Sequence, residues 1–283
     1  MATTGLVEIF NLLTRRARRV GVREYRTPKS KHCFTQHELL GVLVLKTVAR
    51  ASYRTLELFV PSIVGKAMHF TTPHKAARRF GTRLMARVLV ACLPAVRGQV
   101  VALDATGFST SKQSEYYTWR IDGTRHRAFV KTSLLVDTRT QAVLACRTHI
   151  LPRHELRDAY RLAPMVQAHH FVADKAYDGE QLHELLAAAG VQAHIPTRAR
   201  ARRGFWRMKH ARHFRKRIYG RRALVETVNS VVKRRFGSQM AAHGAAMRRI
   251  EVLLKVISYN LLLTRRSAAY WLMISTQPEK EAV

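Results

Sequence analysis

The chain has 283 residues, of which 50 are Lys or Arg and 18 are Asp or Glu, giving a formal net charge of +32 at pH 7. Its hydrophobic fraction of 47% and charged fraction of 24% exclude the disordered, collagen-like and low-complexity classes. Its apolar stretches are interrupted by Lys or Arg or are shorter than the ~18 residues of a membrane span, so no membrane partner is predicted. Neither a signal peptide nor a disulfide framework is indicated, and a cytoplasmic location is expected.

The positive charge is concentrated at the two ends of the chain. Residues 1–100 have a formal charge of +14, residues 101–197 of +1 and residues 198–283 of +17. A polyanion is the natural partner of such basic blocks, since each phosphate that binds Lys or Arg releases counterions. A basic surface that serves only solubility is the alternative, but self-repulsion at this charge would destabilise a compact fold. The charge therefore predicts binding to nucleic acid.

Residues 1–98 are predicted to form a small all-helical domain. Apolar side chains recur at helical spacing in residues 38–50 and 53–63, and a basic helix is predicted over residues 74–87. These helices fit either a helix-turn-helix module on DNA or an ordinary helical bundle, and the charge favours the DNA-binding interpretation.

From residue 99 the pattern changes to short β-branched runs. A strand over 100–103 ends at Asp104, a hairpin spans 128–136 and 142–150, and a helix covers 155–167. A second buried strand over 171–173 ends at Asp174, and a helix over 180–189 and a strand over 191–195 follow. This order predicts an α/β domain over residues 99–240, a mixed sheet flanked by helices, with a C-terminal helical extension over 241–283. Ligands of such sheets bind beyond the carboxyl ends of strands, where both aspartates are expected.

Residues 198–222 form a basic segment with 12 Lys or Arg and no acidic residue. Because its like charges repel, the segment is predicted to be poorly ordered without DNA; a prefolded basic hairpin is the alternative. Trp206 within it could stack on a base or anchor the packing, and the sequence leaves both roles open.

The helix predicted over 218–238 has one polar face. Tyr219, Arg222, Glu226, Asn229 and Lys233 are spaced 3, 4, 3 and 4 residues apart, so all five share that face. Glu226 by itself could simply pair with a cation one turn earlier. Together with the aspartates that end the two buried strands, however, it completes three carboxylates, which are suitable ligands for two Mg²⁺ ions in phosphoryl transfer.

The pattern Tyr219-x2-Arg222-x3-Glu226-x6-Lys233 resembles the Tyr-Arg-Glu-Lys signature of the DDE transposases encoded by bacterial and archaeal insertion sequences. The resemblance covers residues 99–263 and includes the segments around Asp104 and Asp174, Leu103–Gly107 and Ala173–Asp178. One departure is Ala176, at a position where the family often has Gly.

The resemblance implies a ribonuclease-H-like catalytic domain, with cleavage at the element's ends and strand transfer into target DNA. Asp104, Asp174 and Glu226 would be the catalytic ligands of two Mg²⁺ ions, with Mn²⁺ tolerated. The side chains of Tyr219, Arg222 and Lys233 would bind phosphates of double-stranded DNA. The family further implies a homodimer on DNA and association with the nucleoid of a prokaryote.

Two other functions remain open on sequence grounds. A repair or junction nuclease of the same fold would use the same three carboxylates without strand transfer, and a basic nucleic-acid-binding relic would use none of them. Terminal inverted repeats beside the coding region would favour a mobile element.

Overall fold

The computed structural model describes residues 3–29, 31–94, 98–110, 120, 129–150, 154–199, 201 and 203–275. Its contacts divide the chain into two compact units. The first comprises Met1–Arg79, Arg87–Pro94 and Leu254–Val283, and the second comprises Phe80–Ala86 and Ala95–Leu253. The three-part division of the chain made from the sequence stays a prediction.

The N-terminal residues are helical, as predicted. The helices are α1 (Thr3–Arg19), α2 (Gln36–Ala49), α3 (Tyr53–Val64), α4 (Thr71–Arg79) and α5 (Thr82–Ala91). A capping box fixes the start of α2, because the Thr35 side chain accepts from the Glu38 backbone and the Glu38 side chain accepts from the Thr35 backbone.

The prediction of a single basic helix over residues 74–87 is wrong, because these residues belong to two separate helices, α4 and α5. Helix α4 already starts at Thr71, since Pro73 lies in the first turn, where its missing N–H costs nothing. The break falls at Phe80 and Gly81, and the Gly81 carbonyl accepts from the Met85 N–H to open α5.

The second unit is built on a five-stranded mixed sheet. Its strands are β1 (Val100–Ser109), β2 (Phe129–Asp137), β3 (Val143–His149), β4 (His170–Val172) and β5 (Gln192–His194). They lie in the order β3-β2-β1-β4-β5. The pairs β1/β2 and β2/β3 are antiparallel, and β1/β4 and β4/β5 are parallel. This arrangement confirms the predicted ribonuclease-H-like α/β fold.

The predicted hairpin is confirmed, although Ala128, its predicted first residue, lies outside the described residues. Its turn depends on Asp137, whose buried carboxylate accepts from the backbone and hydroxyl of Thr140. Strand β1 is longer than predicted, because residues 104–109 continue to pair with β2. Asp104 therefore lies inside the strand rather than at its end.

Helices cover both faces of the sheet. Helices α6 (Leu156–Leu162) and α7 (Glu180–Ala188) pack on one face, where Leu103, Leu135 and Phe171 form the core with Leu182 and Leu186. Helix α10 (Ala223–Phe236) packs against β1 and β2 through Val225, Val228 and Val232. The chain after α10 bonds to the end of β1, since Ser109 N–H donates to Ser238 and Met240 N–H donates to Ser109. These contacts fix α10 relative to β1.

The basic segment forms two helices, α8 (Phe205–Arg212) and α9 (Lys216–Tyr219), although Arg200 and Arg202 lie outside the described residues. The prediction of disorder is wrong for α8, because acidic groups of the sheet domain bind this helix. The Glu180 carboxylate accepts from the backbone N–H groups of Trp206 and Arg207 at the start of α8. Arg207 also donates to the buried carboxylate of Asp178.

The last helix, α11, spans Ala245–Ser275. The Glu251 carboxylate holds the chain before it by accepting from the N–H groups of Ala241 and Ala242. Among the described residues, none of the helices combines the length and the apolar character needed to span a membrane.

Candidate active site

Asp104, half-buried in β1, occupies the centre of the candidate site. Burial, followed by the negative charges of Glu155 and Glu226, raises the pKa of its carboxyl, which is about 6. The Ala105 N–H and the Arg222 guanidinium lower it but do not compensate. The carboxylate form of Asp104 is thus destabilised, and a cation beside it would relieve this destabilisation.

Helix α10 presents its predicted polar face to Asp104. The Nδ2 of Asn229 donates to the Oδ2 of Asp104 at 3.1 Å. Lys233, one turn further, is half-buried above the Phe108 ring, with its Nζ 5.9 Å from the ring centroid. Burial lowers the pKa of Lys233, and the nearby Asp104 opposes this shift. The 3.6-residue periodicity therefore identified the correct face.

Glu226 lies in the first turn of α10 and is about half exposed. Its Oε1 accepts from Nη1 of Arg222 at 2.7 Å, one turn earlier. This is the simple pairing that the sequence left open as an alternative role for Glu226. Both charges nevertheless act on the pKa of Asp104, so the pair lies beside the central carboxylate.

Asp174 follows β4, the parallel neighbour of β1. Ala102 and Val172 are the last paired residues of the two strands, and Asp104 and Asp174 each lie two positions beyond them. The Asp174 side chain accepts from the Ala176 N–H at 2.7 Å and caps the short 3₁₀ helix Lys175–Tyr177. A Gly at position 176 would donate the same hydrogen bond, so Ala176 changes nothing in this contact.

Glu155, at the start of α6, is a fourth carboxylate that the sequence analysis did not select. It pairs with Nζ of Lys131 on β2 at 2.7 Å. Burial raises the pKa of the Tyr177 hydroxyl, and the charges of Glu155, Asp104 and Asp174 raise it further. Tyr177 therefore lies in the electrostatic range of all three carboxylates.

Three of the predicted DNA-binding residues, Trp206, Tyr219 and Arg222, lie in the chain before α10. Tyr219 ends α9, and its ring is 5.5 Å from that of Phe214. Trp206 lies in α8, where its ring contacts Phe205 edge-on and lies under the Lys209 ammonium at 5.0 Å. Trp206 is half-buried, and its proposed contact with a base stays a prediction.

Two observations fit a divalent cation at this site. Like charges crowd Asp104, and Oδ1 of Asn229 is buried without a hydrogen-bond partner in the described part of the chain. Among these residues, however, no group of three His, Cys, Asp or Glu side chains is arranged to hold a metal ion. The donor chemistry thus suits Mg²⁺, while Glu226 is engaged by Arg222.

Sequence reasoning placed Asn229 on the polar face but gave it no role, and it missed Glu155 altogether. The sequence did contain a signal for Asn229, because this amide lies on the polar face, four residues before Lys233. For Glu155 no signal existed, since its proximity to Asp104 depends on how α6 folds back over the sheet.

Comparison with known proteins identifies the family of the chain. The family model described as "Transposase DDE domain" matches residues 97–261. Among solved structures, a cryo-EM structure of a piggyBac transposase synaptic complex with hairpin DNA is similar, with a TM-score of 0.45 and 9% identity. That match covers 97% of this chain and 80% of the other chain. No curated protein matches the sequence. Because the family match spans more than half of its residues, the chain belongs to the Transposase DDE domain family.

Proposed function

We propose that the protein is the transposase of an insertion sequence, cutting DNA at the element's ends and joining those ends to target DNA. The observation that supports this best is the arrangement around Asp104: Arg222, Glu226, Asn229 and Lys233 of one helical face all act on that carboxylate. Catalytic acids and phosphate-binding cations on one face suit phosphoryl transfer, in which positioning and charge stabilisation provide most of the catalysis.

In this proposal Asp104, Asp174 and Glu226 hold two Mg²⁺ ions, which Mn²⁺ can replace. Bound metal would supply activation of the attacking oxygen and stabilisation of the leaving oxygen. Asn229 orients Asp104 through its amide. Tyr219, Arg222 and Lys233 bind the phosphates on either side of the bond that is cut, in keeping with the Tyr-Arg-Glu-Lys signature.

The Arg222–Glu226 pair gives this site an order of events. A DNA phosphate at Arg222 would compete with Glu226 for the charge of the guanidinium, which now pairs with Glu226 at 2.7 Å. A phosphate that draws Arg222 away leaves the Glu226 carboxylate free to bind metal. DNA binding thereby promotes completion of the metal site.

The proposed partner is double-stranded DNA, at the element's ends and at the target. Both ends of an element have to be cut and joined together, so we propose that two copies of the chain pair on DNA as a homodimer. The net charge of +32 provides affinity for the duplex without requiring sequence readout.

The test uses duplexes taken from the DNA that flanks the coding region, with Mg²⁺ present. Glu226→Gln should abolish cleavage and keep DNA affinity, whereas Arg222→Ala and Lys233→Ala should weaken binding to cleaved ends. Arg234→Ala is the matched control, because Arg234 is an exposed cation on the same helix. Equal loss of DNA affinity in Glu226→Gln and Arg222→Ala would contradict the division of roles.

The same assay separates the proposed function from its two rivals. Cutting without joining to a second duplex would identify a nuclease. Tight binding without cutting, in the wild type and in all variants, would identify a nucleic-acid-binding relic.

A further inference from the structure

A cavity of about 490 Å³ lies at the β3 edge of the sheet, within the second unit. The end of β3, the start of α5 and the first turns of α11 line it. No acidic side chain of the described residues lines the cavity, and each polar residue of its lining has a hydrogen-bond donor or is neutral. These polar residues are Thr82, Arg83, Arg147, Thr148, His149 and Arg249.

The positive charges of the three arginines in the cavity are only partly neutralised by neighbouring residues. Within the described part of the chain, neither Arg83 nor Arg249 has a hydrogen-bond or ion-pair partner. Nε of Arg147 is buried and lacks a hydrogen bond to any described residue. The nearest acid is Asp158, whose Oδ1 lies 3.8 Å from that Nε.

Asp158 is buried, and its two oxygens are occupied by other groups. Its Oδ1 bonds to Nε2 of His149 at 2.5 Å, and its Oδ2 accepts from the Ser133 hydroxyl at 3.0 Å. The Asp158 carboxylate is therefore shared among Arg147, His149 and Ser133. Arg83 and Arg249 are exposed, whereas Arg147 is half-buried.

Helix α5 adds further donors to the same cavity. Thr82 and Arg83 are the first two residues of this ten-residue helix. The first backbone N–H groups of a helix have no partner within the helix and attract anions. With the hydroxyl of Thr148, the cavity thus combines guanidinium, backbone and hydroxyl donors, a set that suits the oxygens of a phosphate group.

The register of the sheet relates this cavity to the candidate active site. Asp104 pairs with Leu134 on β2, and Leu134 pairs with Cys146 on β3, which also lines the cavity. Two strand spacings, about 10 Å, therefore separate Asp104 from the cavity wall. A duplex carries about six phosphates per 10 Å of length along its axis, so a duplex cut at Asp104 has other phosphates at the distance of the cavity.

We propose that this cavity is a second phosphate site that holds the backbone of the same duplex whose scissile phosphate lies at Asp104. The proposal rests on the proposed function for its choice of DNA. A free polyphosphate or a nucleotide presents the same phosphate oxygens to the cavity as a duplex does, so the experiment has to distinguish these ligands. The distance to Asp104 favours the duplex.

The test is chemical modification of arginines by phenylglyoxal in the wild-type protein without metal, read by mass spectrometry at each residue. A flanking-DNA duplex should slow modification of Arg83 and Arg249 at least fivefold, and tripolyphosphate at equal phosphate concentration should not. Arg157 and Arg161, exposed on α6, report general shielding by bound DNA. Protection of all four arginines alike, or of none, would overturn the site, and protection by tripolyphosphate would overturn the choice of DNA.

A pair of variants checks the result independently. The measurement is the slope of log duplex affinity against log salt concentration. The double variant Arg83→Gln/Arg249→Gln should reduce this slope by about one to two phosphate contacts more than the double variant Arg157→Gln/Arg161→Gln does. Equal slopes would overturn the proposal. Because neither measurement requires cleavage, a protein that protects these arginines but never cuts DNA would contradict only the proposed function.

Discussion

The amide of Asn229 donates to the carboxylate of Asp104 across 3.1 Å, joining α10 to β1 over 125 positions of sequence. This hydrogen bond joins the polar face of α10 directly to the sheet. It holds Oδ2 of Asp104.

We expect Asn229→Ala to lower DNA cleavage at least tenfold while leaving DNA affinity unchanged. Loss of the amide frees the Asp104 side chain to rotate and costs about 1 kcal/mol of stability. Ser230→Ala, at the exposed neighbouring position of α10, is the control and should behave as wild type. Cleavage by Asn229→Ala at the wild-type rate would show that Asp104 needs no positioning.

Asp104→Asn should stabilise the metal-free protein at neutral pH. The folded-state pKa of Asp104 is raised to about 6, above its unfolded value of about 4, so the folded protein binds the proton more tightly. Stability consequently falls as pH rises from about 4 to 6, by about 2 kcal/mol in this partly exposed site. Denaturant unfolding in EDTA should show the advantage of Asp104→Asn growing through this window and staying constant above it. Parallel pH curves for the two proteins would contradict the assignment.

Much of this site could be predicted because its signals are local. A 3.6-residue period places Arg222, Glu226 and Lys233 on one face whatever α10 packs against, and Asp174 follows a short buried strand. The length of β1 beyond Asp104 could not be predicted, since it depends on pairing with β2 across the hairpin. The folding of the basic segment was missed for the same reason, because the acids that bind it belong to a different element.

Arg222→Ala should raise the affinity for Mn²⁺ in the absence of DNA. The ion pair at 2.7 Å holds the Glu226 carboxylate, and its removal frees that oxygen donor for metal. Electron paramagnetic resonance titration should show binding about threefold or more tighter than in wild type, with no gain when Glu226→Gln is combined with Arg222→Ala. Unchanged Mn²⁺ affinity in the single variant would show that the pair does not compete with metal.

Gly41→Ala should destabilise the protein although Ala favours helices. Gly41 lies in α2, and a Cβ added there would come within 2.4 Å of the Phe10 ring, which is buried in the same unit. Such overpacking costs about 1–3 kcal/mol, more than the ~1 kcal/mol gained in helix propensity. Gly220→Ala is the matched control, since a Cβ there meets no atom within 4 Å and its backbone is helical. If thermal unfolding ranks Gly41→Ala above wild type, the packing of α1 on α2 is not as described.

Acid should release helix α8 before the rest of the sheet domain unfolds. His210 is buried in α8, and its Nδ1 lies 3.0 Å from Nδ1 of His183, whose Nε2 bonds to the Asp178 carboxylate. Burial, followed by the charges of His183 and Lys209, lowers the pKa of His210 to about 4, and Glu180 opposes this shift.

Because the folded protein binds this proton less tightly than the unfolded chain, the contribution of His210 is full above about pH 6.5 and is lost as pH falls towards 4. Hydrogen exchange, corrected for its intrinsic pH dependence, should show protection of residues 205–212 falling between pH 7 and 5 while β1 stays protected. His210→Gln should remove most of that pH dependence, since an amide does not titrate. If both proteins lose protection at the same pH, groups other than His210 cause the effect. In that case the His183–His210 contact does not anchor the basic segment.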